Sequence, residues 1–187
     1  LEWAPILISP PLWPRAADSR PRRKGGCHRP EYHDWARFVR GFAAHYRGKI
    51  RSVEIWNEPD HPGFANFSGE EYVELLKTAY REIKAVAPEL SVLSGGVAGL
   101  QSEEQKRLFR MILESKSCDM LAFHGHGGLG GYRPQVANLL KLRREAGADT
   151  PWFANETAIS AILIGELRQA EILFQKFLYS WANGASG

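Results

Sequence analysis

The sequence predicts an α/β fold built on a parallel sheet. Two observations carry that prediction: five strand-like runs alternate strictly with five helix-like runs, and no low-complexity tract interrupts them. Strict alternation places helices outside a parallel sheet. Two architectures satisfy it, an open doubly wound sheet or part of an eight-stranded (β/α)8 TIM barrel. The first normally brings a glycine-rich phosphate loop after an early strand. Here "GGCHRP" and "SGGVAGL" lack the G-x-G-x-x-G spacing, so a nucleotide site has little support.

Residues 4–11, "APILISPP", are a short apolar run stopped by prolines. Residues 30–46 carry Trp35, Phe38, Val39, Phe42 and Tyr46 at helical spacing. "IRSVEIW" (50–56) is the second strand. In the helix over 68–88, Ser68 and Glu71 have the spacing of a capping box, in which each side chain satisfies a free backbone N–H of the first turn. Tyr72, Leu75, Leu76, Ala79, Ile83 and Val86 form its buried stripe, and Pro88 stops it. "LSVLSGG" (90–96) reads as strand, and Ser102 with Gln105 repeat the cap for a helix over 102–115. "CDMLAFHG" (118–125) is strand, 134–147 helix, "PWFANE" (151–156) strand, and 165–184 a final long helix.

The 187 residues suffice for one domain with a substantial core. A net charge of +3 is too small to imply nucleic acid or an anionic membrane as partner, and no apolar run is long enough to span a bilayer. The basic run 20–24, "RPRRK", lacks interleaved aromatics and reads as a solvated loop. Cys27 and Cys118 do not make a disulfide framework, and "CH" at 27–28 with His33 lacks a second ligand pair at zinc-site spacing.

In a parallel α/β sheet every strand's C-terminal end lies on one face, where reactive residues collect. Those ends are Trp13, then Asn57 with Glu58, Ser94 with Gly95, His124 with His126, and Asn155 with Glu156. Two carboxylates, each preceded by Asn, thus share one rim, and Pro59 fixes where the second strand stops. Such a pair suits glycosidic bond cleavage. One carboxyl gives a proton to the departing oxygen while the other, ionised, attacks or activates water against a carbon with oxocarbenium character. Repulsion and unequal solvation push the two pKa values apart, which divides the roles.

"EIWNEPD" with "FANETA" resembles clan A of the glycoside hydrolases, and "YHDWARFVRGFAAHYRGKIRSVEIWNEPD" with "YVELLKTAYREIKAVAPELSVLSGG" is most similar to family 39, the β-xylosidases and α-L-iduronidases. The resemblance covers essentially the whole chain. It implies a retaining enzyme on a partial (β/α)8 barrel, about five βα units that correspond to barrel strands 3 to 7, with residues 1–187 one incomplete catalytic domain. It implies Glu58 as general acid/base, Glu156 as nucleophile, and Asn57 as the hydrogen-bond partner of the sugar's 2-hydroxyl. His124 matches the histidine of the clan's His-x-Tyr on strand 6. His126 stands where tyrosine is expected to support the nucleophile. Trp13 would line the sugar cleft. The implied partner is an oligo- or polysaccharide or a small glycoside, with no cofactor or metal. The barrel strands absent from this stretch are expected from a longer chain, of which it would be an interior piece.

Other readings stand beside these. Glu58 and Glu156 could be solvated loop acids, and the cleft a non-catalytic carbohydrate-binding relative. His124 and His126 could pair with Glu156 on a metal, as in a metal-dependent hydrolase. Glu54, inside its strand, is expected as a paired structural acid, and Asp60 as a turn residue. Trp35, Trp152 and Trp181 are expected in the core. Cys27 on the rim and Cys118 at the opposite strand end would lie roughly 17–20 Å apart, so both thiols should be free.

Overall fold

The computed structural model describes residues 3–10 and 27–186, so Trp13 and the basic run 20–24 lie outside the described residues. The elements in order are β1 (Ile6–Leu7), α1 (Tyr32–Tyr46), β2 (Ser52–Asn57), α2 (Gly69–Val86), β3 (Ser91–Gly96), α3 (Glu103–Ser115), β4 (Leu121–Ala122), α4 (Leu129–Glu145), β5 (Trp152–Phe153), α5 (Ala161–Ile164) and α6 (Glu166–Ala182). Strands β1, β2 and β3 pair in parallel, as do β4 and β5. Parallel bridges Leu93–Met120 and Val97–Phe123 join the two groups, and a further one links Trp152 to Ala185. Spatial order therefore follows chain order. A barrel requires this, whereas a doubly wound sheet reverses at its switch point.

Both capping boxes form. Ser68 Oγ accepts from Glu71 N–H while Glu71 Oε2 accepts from Ser68 N–H, and Ser102 with Gln105 does the same for α3. The α2 stripe buries Tyr72, Leu75, Leu76, Ala79 and Ile83 against the sheet, with Val86 at its edge. Each of the leucine and isoleucine side chains contributes about 1.5–3 kcal/mol by leaving water. Strand β2 is buried on both faces, with Val53, Ile55 and Trp56 in the core. A strand buried on both faces in this way belongs at the centre of a parallel sheet.

Several expectations are corrected. Helix α4 starts at Leu129, not at Pro134, which sits inside it. Proline removes one intrahelical N–H, and the residue four back, whose carbonyl faces its ring, is Gly130. Helix α1 buries Trp35, Val39 and Ala43, leaving Phe38 exposed. Trp35 and Trp152 are core residues, but Trp181 is 57% exposed. It lies on the outer face of α6 with Phe174, Phe177 and Leu178, because α6 packs inward on α4 through Lys176 and Ser180, which meet Tyr132. The short α5 precedes α6 and meets it at Gly165, whose φ of +79° turns the chain between the helices. Among the described residues no helix is long and apolar enough to cross a membrane. Both cysteines are free thiols, and burial pushes that of Cys118 up to about 12.

Candidate active site

The C-terminal end of β2 is held in an unusual backbone conformation. Trp56 has φ +74° and Glu58 φ +41°, in the left-handed region that costs non-glycine residues about 1–3 kcal/mol each. Surrounding bonds hold both. Trp56 packs edge-on against Phe67 and Trp35, and its indole N–H donates to Phe64 O at 3.1 Å. Trp56 is thereby a core residue. Glu58 N–H donates to Gly96 O at 3.0 Å, and Glu58 O accepts from His61 N–H at 2.9 Å. Asp60 is more than a turn residue. It accepts from Ala98 N–H and Gln105 Nε2, both at 2.8 Å, which ties the loop after β2 to that after β3.

The structure brings Glu58, His124, His126 and Glu156 together, with one ligating atom of each within 4.8 Å of every other. Glu58 is buried, and its Oε1 lies 3.0 Å from both His124 Nδ1 and His126 Nε2. His126 Nε2 also stands 3.5 Å from Glu156 Oε1, so one imidazole bridges the two carboxylates. The side chains of His126 and Glu156 are 37% and 51% exposed, which leaves the gap open to solvent. Burial pushes the Glu58 carboxyl upward, but hydrogen bonds from His124 and His126 outweigh it and hold the group below its ordinary value. Burial depresses His124, and its hydrogen bond to Glu58 with the nearby charges of Glu156 and Glu54 more than reverses that. Asn57 lies on the same rim, and its side chain has no hydrogen-bond partner among the described residues.

"SGG" at 94–96 supplies three fittings that the residue types alone did not reveal. Ser94 Oγ accepts from Ala122 N–H at 3.1 Å. A Cβ on Gly95 would meet Ile55 O at 2.8 Å and Tyr72 Oη at 3.1 Å. A Cβ on Gly96 would stand 2.1 Å from His124 Nε2. Gly96 is thus the floor on which the His124 ring lies, and only glycine fits there.

Glu54 is the structural acid expected. Its Oε1 accepts from Gly96 N–H and its Oε2 from Asn155 Nδ2, both at 2.7 Å, so the Asn before Glu156 serves Glu54. Burial pushes the Glu54 carboxyl up to about 7 against the lowering pull of the Gly96 N–H and His124, with Glu156 adding to the rise. Asn155 Oδ1 is buried without a partner among the described residues. Turning that amide over offers Oδ1 to the proton of a neutral Glu54. Because the folded value lies above the ordinary 4.5, the stability that protonated Glu54 contributes is complete below about pH 4.5 and is lost as pH rises through 7. The window amounts to about 3 kcal/mol. Urea denaturation at pH 5 and pH 8 should show a smaller stability difference in Glu54→Gln than in the parent. An unchanged difference would contradict this assignment.

The four clustered side chains could also hold a metal. Three of the six ligand–ligand distances, 3.0, 3.0 and 3.5 Å, are near the roughly 3.4 Å edge of a tetrahedron with zinc–ligand bonds of about 2.0–2.1 Å, while the whole set is held only within 4.8 Å. His124 fits less well. Ligation through Nδ1 would place its proton on Nε2, which is buried against Gly96 with no acceptor among the described residues.

The chain is similar in structure to a GH39 β-xylosidase from Caulobacter crescentus, with TM-score 0.63 and 20% identity over 91% of this chain and 42% of that one. A family 39 glycoside hydrolase from the gut symbiont Bacteroides cellulosilyticus WH2 gives TM-score 0.66 and 18% identity over 85% of this chain and 37% of that one. The fold is that of part of a (β/α)8 barrel. A GH128 curdlan-specific exo-β-1,3-glucanase from Blastomyces gilchristii, at TM-score 0.59 and 16% identity, covers 99% of this chain and 78% of its own. The chain spans about two fifths of the length of the two family 39 structures. No protein-family model matches it, and no curated protein matches it in sequence.

Proposed function

We propose that residues 1–187 are one incomplete catalytic domain of a retaining glycoside hydrolase that acts on β-linked glycosides by double displacement. The observation that carries this reading is the separation of the carboxylates: oxygens of Glu58 and Glu156 approach within 4.8 Å. Retaining enzymes hold the two carboxyl groups about 5–5.5 Å apart and inverting ones about 6.5–9.5 Å; an approach of single oxygens this close, with His126 Nε2 reaching both carboxylates, supports the shorter spacing.

Glu58 gives its proton to the glycosidic oxygen as Glu156 attacks the anomeric carbon, so the C–O bond breaks and an ester to Glu156 forms. Glu58, now ionised, takes a proton from water. The water oxygen attacks the same carbon and frees Glu156. Asn57, with no side-chain hydrogen-bond partner among the described residues, bonds the sugar's 2-hydroxyl. The hydrogen bonds that keep Glu58 ionised in the open site suit its second task. For the first, the entering sugar must part His126 from Glu58. Losing that bond raises the Glu58 pKa toward the protonated form.

Aryl β-xylosides and β-glucosides are the first substrates for the full-length protein, since the structural neighbours include a β-xylosidase and a β-1,3-glucanase. Proton NMR of the freshly released sugar should show the β-anomer. The α-anomer would indicate inversion and overturn the mechanism, and binding without turnover would favour the carbohydrate-binding reading. The convergence of four ligating groups favours a second reading, a metal-dependent hydrolase built on Glu58, His124, His126 and Glu156. Tight stoichiometric zinc in the purified protein, with activity lost on chelation, would establish that reading instead.

A further inference from the structure

Lys176, on α6, is fully buried. Its Nζ donates to Gly125 O at 2.8 Å and to Thr157 Oγ1 at 2.6 Å, and lies 4.8 Å from the centre of the Tyr132 ring. Thr157 Oγ1 donates in turn to the same carbonyl, Gly125 O, at 3.2 Å. No carboxylate pairs with this ammonium among the described residues. Two hydrogen bonds and an aromatic face occupy its three donors. Burial pushes it down to about 8.

Its two partners have a meaningful position in the chain. Gly125 immediately precedes His126, and Thr157 immediately follows Glu156. Gly127 N–H, on the other side of His126, donates to Ala158 O at 2.7 Å. Gly125 is itself fixed, with φ +62° and Phe123 and Tyr132 so close that a Cβ would meet them at 2.6–2.7 Å. The loops bearing His126 and Glu156 are therefore laced at two points, and Lys176 is the knot at one of them.

We infer that Lys176 is a positioning residue that sets the spacing between His126 and Glu156 and thereby the width of the gap between the two carboxylates. Packing alone does not call for a lysine there. An unpaired buried ammonium is unfavourable, and methionine would fill the same volume without that penalty. A purely structural lysine and a positioning lysine thus predict different outcomes for one substitution.

The inference rests on the glycosidase reading for its activity readout only. In the full-length protein, Lys176→Met should keep or raise Tm. It should also lower kcat on an aryl β-glycoside by about tenfold or more while KM changes by less than about threefold, because the loss falls on alignment of reacting groups. The imidazole nitrogen shifts of His126, read by NMR, should move. Thr157→Val keeps the ammonium but removes one acceptor, and should move kcat and the His126 shifts in the same direction. It decides the matter if Lys176→Met does not fold. Unchanged kcat and unchanged His126 shifts would overturn the inference and leave the glycosidase reading untouched. A parent protein that turns over no glycoside would overturn that reading, while the His126 shifts would still decide the role of Lys176.

Discussion

Under the proposed double displacement, Glu156→Gln should lower kcat/KM on aryl β-glycosides by about three orders of magnitude or more, with the fold intact. Glutamine keeps the shape of the side chain but cannot form the glycosyl ester, so the route through the covalent intermediate closes. A loss of this size corresponds to about 4 kcal/mol of transition-state stabilisation. Little else should change. The Glu156 side chain is half exposed, and His126 at 3.5 Å is its ionisable neighbour among the described residues, so the stability effect should stay within about 0.5 kcal/mol. Steady-state kinetics with circular dichroism measures both. A variant with more than a tenth of the parent's activity would remove Glu156 from the nucleophile's role.

Glu58→Ala separates the two half-reactions. Glycosides with poor leaving groups, which need a proton, should lose about 10²–10⁴-fold in rate. A dinitrophenyl glycoside needs no acid in the first step, so it should form the glycosyl-enzyme in a burst and then stall for want of a base. Azide, an anion that needs no deprotonation and fits the space left by the carboxyl, should restore turnover and yield the β-glycosyl azide. Release of only the hydrolysed sugar at an unchanged rate with azide would argue against the acid/base assignment. The variant also leaves His124 and His126 without their shared acceptor. A stability loss of about 1–3 kcal/mol is expected, and denaturation measures it.

Much of this site was legible in the sequence because the strand–helix alternation and strand ends obey strong rules. Periodicity and the two capping boxes located α2 and α3, and the rim rule placed Glu58, His124, His126 and Glu156 on one face. What escaped depends on three-dimensional closeness between segments far apart in the chain. Nothing in "SGG" states that Gly96 lies under an imidazole, and nothing in "LFQKFLY" distinguishes Lys176 from a surface lysine on an amphipathic helix. Glu54 could be read as an inward acid from strand alternation, but its pairing with Asn155 spans a hundred residues. The exposed ring of Trp181 follows from the same limit. A helical stripe marks a face as apolar without saying which side of the helix the sheet takes.

The division of labour between the carboxylates is tested most directly by covalent trapping. The full-length protein is incubated with a 2-deoxy-2-fluoro β-glycoside carrying a dinitrophenyl leaving group, then digested and sequenced by mass spectrometry. One fluoroglycosyl group per chain on Glu156 is the predicted result. A label on Glu58 or on any other residue, or no label from a protein that turns over the parent glycoside, would contradict the account.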